Sequence, residues 1–180
     1  MVDGASVLMS MFYAFKASGF WSEERESNLL DGAAHFYDTY ECADQKFLAV
    51  GSIEPQFYSV LLEKLEISDL KFQDQHNKEL WPELKIIMKD KIKEKTRDEW
   101  ADIFDGTDAC VAPVLNLSEA PAHHHMKARN SFVEVDGVIQ PAPAPRFSDT
   151  TTTIKHSSVK AGENNDEICA KYNLDRSCFN

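Results

Sequence analysis

The segment FLAVGSIEPQFYSVLLEKL, residues 47–65, changes character at one fixed point. A short apolar run rich in strand formers ends at Gly51. Pro55 then stands where a helix would begin, a position at which its missing N–H costs nothing. Behind it Phe57, Tyr58, Leu61, Leu62 and Leu65 recur at helical spacing. A chain with this segment must hold a strand and a helix across a tight corner. The residue at that corner is Glu54, although asparagine, aspartate or serine would cap the helix better. One reading is an acidic residue favoured by the helix macrodipole by up to ~1 kcal/mol. The other is a carboxylate held rigid by Gly51 and Pro55 and aimed at a site, as such corners position groups well. The residues alone leave both open.

The rest of the chain extends the same alternation of strands and helices. Asp3 can cap a first helix, in which Val7, Leu8, Met11, Phe12 and Phe15 form one apolar stripe. Residues 35–40 and 47–51 read as a β-hairpin turning at 43–46. A helix is expected from about Leu80 to Glu94, with Leu84, Ile87, Met88 and Ile92 inward. Thr96-Arg97-Asp98-Glu99 is a capping-box pattern opening another helix, with Trp100, Ile103 and Phe104 on its inner side and Gly106 ending it. ACVAPVL, residues 109–115, reads as a buried strand, and Ser118 as the cap of a short helix through the histidines. Asp136-Gly137 is the strongest hairpin signal in the chain. PAPAPRFS is an extended connector, residues 148–165 are Thr- and Ser-rich and nearly free of apolar residues, and a short helix over 166–174 follows. The fold class expected is α+β, a small mixed sheet with packed helices.

Composition excludes several classes. The formal charge of −11 argues against nucleic-acid binding and against adhesion to anionic membranes. The N-terminal apolar stretch is interrupted by Lys16, is too short to span a bilayer, and has Asp3 where a signal peptide would be basic. No targeting signal is expected. Cys42, Cys110, Cys169 and Cys178 form no C-x-x-C pair and read as reduced thiols. Consecutive helical residues point about 100° apart, so His123, His124 and His125 cannot converge on one ion, and no metal is expected. Nucleotide-binding loops, serine-hydrolase elbows and zincin motifs do not occur.

Four stretches carry a resemblance: LLDGAAHFYDTYECADQKFLAVGSIEPQFYSVLLEKL, EKTRDEWADIFDGTDACVAPVLNLSEAPAHHHMKARNSF, QPAPAPRFS and, more weakly, GENNDEICAKYNL. Together they resemble the family III CoA-transferases, and GSIEPQFY is more similar to the racemases of that family than to its formyl- or carnitine-CoA transferases. The resemblance implies the smaller domain of that fold at residues 26–147. Residues 1–25 would be a helix left from the larger domain, and 148–180 a flexible tail with a short C-terminal helix. It implies inversion of the 2-methyl-bearing carbon of acyl-CoA thioesters, in fatty-acid and bile-acid metabolism. That chemistry needs an acid–base group on each face of the carbon. The family's histidine and aspartate for those roles lie in a region this sequence does not contain. The glutamate matching Glu54 would be auxiliary, orienting that absent histidine or tuning its proton affinity. His35 matches a non-catalytic position. No cofactor is implied, and the acyl-CoA substrate would be bound only with the missing CoA-binding domain. The chain alone would then be inactive, working as a homodimer or with a full-length subunit, in peroxisomes or mitochondria. Two alternatives stay open: a fragment of a CoA-transferase, whose acyl-carrying aspartate would also lie upstream, and a non-catalytic dimerisation module.

Overall fold

The computed structural model describes residues 1–179. The chain divides into two compact units, Met1–Val114 and a second from Leu115 onward. Each is taken by itself.

The first unit begins with α1 (Val2–Leu8) and α2 (Ser10–Ala17), neither of which has a buried residue. The single helix expected from Asp3 is thus divided at Met9, whose backbone nevertheless stays in the helical region at φ −81°, ψ −2°. Asp3 lies inside the first turn of α1, where it complements the dipole, and Met1 occupies the cap position.

β1 (Tyr37–Glu41) and β2 (Phe47–Gly51) form the expected hairpin, with Tyr37 opposite Gly51 and Glu41 opposite Phe47. β3 (Val111–Pro113) lies along the other side of β2, with Ala49 opposite Ala112. Every ladder is antiparallel, so the sheet is not mixed as expected, because β3 returns along β2 in the reverse direction. The α+β class stands. β3 is also a half-exposed edge strand rather than a buried one. Its order position explains this: only one of its sides has a neighbour.

Between β2 and β3 run α3 (Pro55–Lys64), α4 (Trp81–Ile92) and α5 (Arg97–Phe104). Tyr40, Leu48 and Val50 point to one face of the hairpin and join Leu61, Leu65, Leu84, Met88, Ile92 and Trp100 in one core. Each such side chain, fully buried, contributes roughly 1.5–3 kcal/mol. That packing holds the helices, since α5 has 8 residues and would be marginal alone.

In the second unit α6 (His124–Ala128) precedes a hairpin of β4 (Phe132–Val135) and β5 (Val138–Pro141), and α7 (Asn165–Tyr172) follows. The turn between the strands has Asp136 at φ 52° and Gly137 at φ 79°, the paired positive values a type I′ turn demands. Ser118 is not the cap it was expected to be. The Asn116 side-chain oxygen accepts from the Ser118 and Glu119 amides at 2.9 Å each, closing an Asx turn, and His123 occupies the cap position of α6 without a side-chain bond to it. Among the described residues no helix is long and apolar enough to cross a membrane.

Candidate acid–base site

Glu54 sits between β2 and α3 in extended backbone, φ −74°, ψ 141°. Its carbonyl accepts the first bond of the helix, from the Tyr58 amide at 3.0 Å, and Pro55 follows at the first helical position. Its carboxylate makes no capping bond to the helix and is exposed. With no side-chain bond to the helix, what remains beside the site reading is the macrodipole reading, the general attraction of a helix start for an anion. Glutamate is one methylene longer than aspartate, and here the carboxylate reaches outward instead of back to the first-turn amides.

The corner is rigid, though not through Gly51. A Cβ there would meet the Cys110 carbonyl and the Tyr37 ring no closer than 3.7 Å, ordinary contact, so the glycine is not sterically required. The rigidity comes from hydrogen bonds on both sides. The Gly51 amide donates to the Cys110 carbonyl at 2.9 Å and the Ser52 amide to the Phe36 carbonyl at 3.0 Å. The buried Ser52 hydroxyl donates to the Ala109 carbonyl at 2.5 Å. Gln75 Nε2 donates to the carbonyls of Ser52 and Ile53, 3.0 Å each.

Cys110 is the electrostatic neighbour of Glu54. Its thiol is pushed up first by desolvation, then by the charges of Glu54 and Asp108. A thiol so placed stays protonated and is a poor nucleophile. Cys110 also borders a concavity of about 450 Å³ over the outer face of the sheet, floored by Thr39, Ala49, Gly51 and Ala112. Tyr37 walls one side of it, and the small side chains of Thr39, Ala49 and Ala112 leave the rest of the space open.

The profile of CoA-transferase family III matches residues 1–165. The chain belongs to CoA-transferase family III. It is 42% identical over 175 residues to the mouse protein named alpha-methylacyl-CoA racemase, covering 96% of this chain and 46% of that one. The human protein of the same name is 40% identical over 179 residues, covering 98% and 47%. The chain thus spans about half the length of the curated relatives it matches. Among solved structures, a CAIB/BAIF family protein from Brucella suis superposes with a TM-score of 0.65 at 21% identity, over 92% of this chain and 45% of that one. The orthorhombic form of Rv3272 from M. tuberculosis gives 0.59 at 15% identity, over 75% and 39%. These last two likenesses establish the family III fold and nothing finer.

Within this family III chain, His35 is fully buried, with Nε2 2.7 Å from the Tyr58 hydroxyl and Nδ1 without a partner. Burial, then His76, push its pKa down to about 4. The ring is sealed in the core and held neutral, where it packs against Tyr58. The histidines 123–125 fall at the start of α6, His123 in extended backbone and His124 in the first turn. Trp100 is a core residue as expected, Trp81 is buried with it, and Trp21 is half-buried, edge-on to Phe12 at 5.0 Å.

Ser52 and Gln75, which fix the corner, have no signal in the sequence. Ser52 is one polar residue after a strand, and Gln75 lies in the polar stretch QDQHNKE. Only the fold brings the two together.

Proposed function

We propose that this chain supplies Glu54 as an auxiliary acid–base residue to an α-methylacyl-CoA racemase. In such an enzyme the thioester carbonyl acidifies the neighbouring C–H. A base removes that proton from one face, charge gathers on the thioester oxygen, and an acid returns a proton to the other face. No redox change occurs, so the reaction calls for no cofactor. One carboxylate cannot serve both faces, and the remaining groups would come from residues outside 1–180.

The observation that carries the reading is the state of Glu54: a carboxylate exposed at a hydrogen-bonded corner and not spent on capping the helix it precedes. The names of the mouse and human relatives supply the reaction class. A carboxylate so held can orient an imidazole from a facing domain and raise its proton affinity. The substrate would be a 2-methylacyl-CoA, taken only in company with the CoA-binding part of the enzyme. Residues 1–25 would belong to that larger part, and the assembly would be a dimer working in peroxisomes or mitochondria.

The test is α-proton exchange of a 2-methylacyl-CoA in deuterated water. The purified 180-residue chain should give none. A chimera joining it to the part of the mouse racemase it does not match should exchange, and Glu54→Gln in that chimera should lower kcat by about tenfold to a thousandfold. Exchange by the chain alone, or an unimpaired Glu54→Gln chimera, would refute the assignment.

A second reading, a non-catalytic module that pairs with a full-length subunit, draws on the bare apolar side chains of α1 and α2. Co-expression with the mouse racemase followed by sizing separates the two. No mixed species would eliminate it.

A further inference from the structure

The carbonyls of Ser52 and Ile53, immediately before Glu54, converge on a single nitrogen, Nε2 of Gln75. Gln75 is 7% exposed and comes from a loop more than twenty residues further along the chain. Its own main-chain carbonyl accepts from the Trp81 indole at 2.8 Å, which ties it to the first residue of α4. From the opposite side, Ser52 Oγ and the Gly51 amide reach the carbonyls of Ala109 and Cys110. The backbone leading into Glu54 is therefore gripped between the start of α4 and the strand entering β3.

A carboxamide suits this place. Its two N–H groups leave one nitrogen in different directions and carry no charge, so two buried acceptors are satisfied without burying an ion. Asparagine has the same head on a shorter stem, and lysine would bring a charge. Helix α3 does not need the bond, since its first turn closes through the Glu54 carbonyl and its buried residues are Tyr58 and Leu61. What the bond fixes is the backbone just ahead of Glu54, and with it the direction in which that side chain leaves the corner.

We propose that Gln75 is the positioning residue of Glu54, holding the carboxylate where a facing imidazole would meet it. This rests on the acid–base reading of Glu54. A displacement of about 1 Å at such a group is enough to cost roughly a hundredfold in rate.

The test has two arms. In the 180-residue chain, Gln75→Met keeps the volume and removes both donors. Amide exchange at Gly51, Ser52 and Ile53 should quicken by about tenfold to a hundredfold, with Met88 and Ile92 in α4 unchanged. Gln75→Glu regains a donor only when protonated, so its protection at 51–53, relative to wild type at the same pH, should fall as pH rises. No local change in the first variant, a uniform rise along the chain, or pH-independent protection in the second overturns the clamp. In the chimera, Gln75→Met should lower kcat at least about tenfold with KM held, and Glu54→Gln/Gln75→Met should be no slower than Glu54→Gln. Losses that multiply would show that Gln75 does not act through Glu54. A full rate in Glu54→Gln sinks the acid–base reading instead, and the exchange arm still reports on the clamp.

Discussion

Burial holds the His35 ring neutral, because desolvation penalises the imidazolium and the nearby His76 adds to the penalty, bringing its pKa to about 4. In the unfolded chain the same ring titrates near about 6.5. Between those values the unfolded state binds the extra proton, so stability rises with pH and is lost on acidification. From pH 7 to pH 5 the expected loss is about 2 kcal/mol, before most carboxylates begin to titrate. Urea midpoints across that range, for the wild type and His35→Gln, check it. The variant keeps a polar partner for the Tyr58 hydroxyl and should flatten the slope; an equal slope in both assigns the effect elsewhere. At this scale the sequence revealed only part of the site. Glu54 stood out because Pro55 fixes where the helix starts and glutamate is a weak choice before it. Gln75 was hidden because a polar residue in a polar loop looks the same whether it is solvated or holds two buried carbonyls. His35 lay in an aromatic stretch whose alternation does not reveal which hydroxyl its ring meets.

Elements were legible wherever a local rule sets them. The Thr96–Glu99 box forms in full: the Glu99 amide donates to Thr96 Oγ1 at 3.3 Å, and the Thr96 amide to Glu99 Oε2 at 2.8 Å. The structure adds a second cap that no local pattern contains. Asp44, in the turn of the β1–β2 hairpin, accepts from the Arg97 amide at 3.1 Å, and the Ala43 amide donates to the Lys95 carbonyl at 2.9 Å. Helix α5 is thereby anchored to the hairpin, a contact across more than fifty residues of sequence. Thr96→Ala should cost about 1 kcal/mol, and Asp44→Ala a similar amount, both read from denaturant midpoints. Since both act on one helix end, the double variant should differ from the sum by at least about 0.5 kcal/mol. Strict additivity would mean that the two caps work independently. The elements misjudged were those that depend on neighbours: β3, whose edge place follows from sheet order, and the Asn116 turn, where an amide oxygen displaced the expected serine cap.

At the scale of the whole molecule, the core begins only after α1 and α2. The buried cluster draws on residues from Leu29 to Val111, and nothing in residues 1–20 is buried. Leu8 is 81% exposed and Phe20 73%, and Val7, Met11, Tyr13 and Phe15 are exposed with them. Apolar residues scattered singly would mean little, but these follow one another along α1, α2 and the turn after them, the arrangement that drives association. An expected consequence is self-association that strengthens with concentration, followed by light scattering on a sizing column. Leu8→Glu with Phe15→Glu should weaken it, because a carboxylate in an apolar contact must either be desolvated or break the contact. The same substitutions touch no core side chain, so the denaturant midpoint of the Trp100-containing core should move by no more than about 0.5 kcal/mol. The two measurements together separate a surface effect from an unfolding effect. Association that persists in the double variant would locate the contact elsewhere, whereas a midpoint that drops with it would mean that α1 and α2 contribute to the core after all.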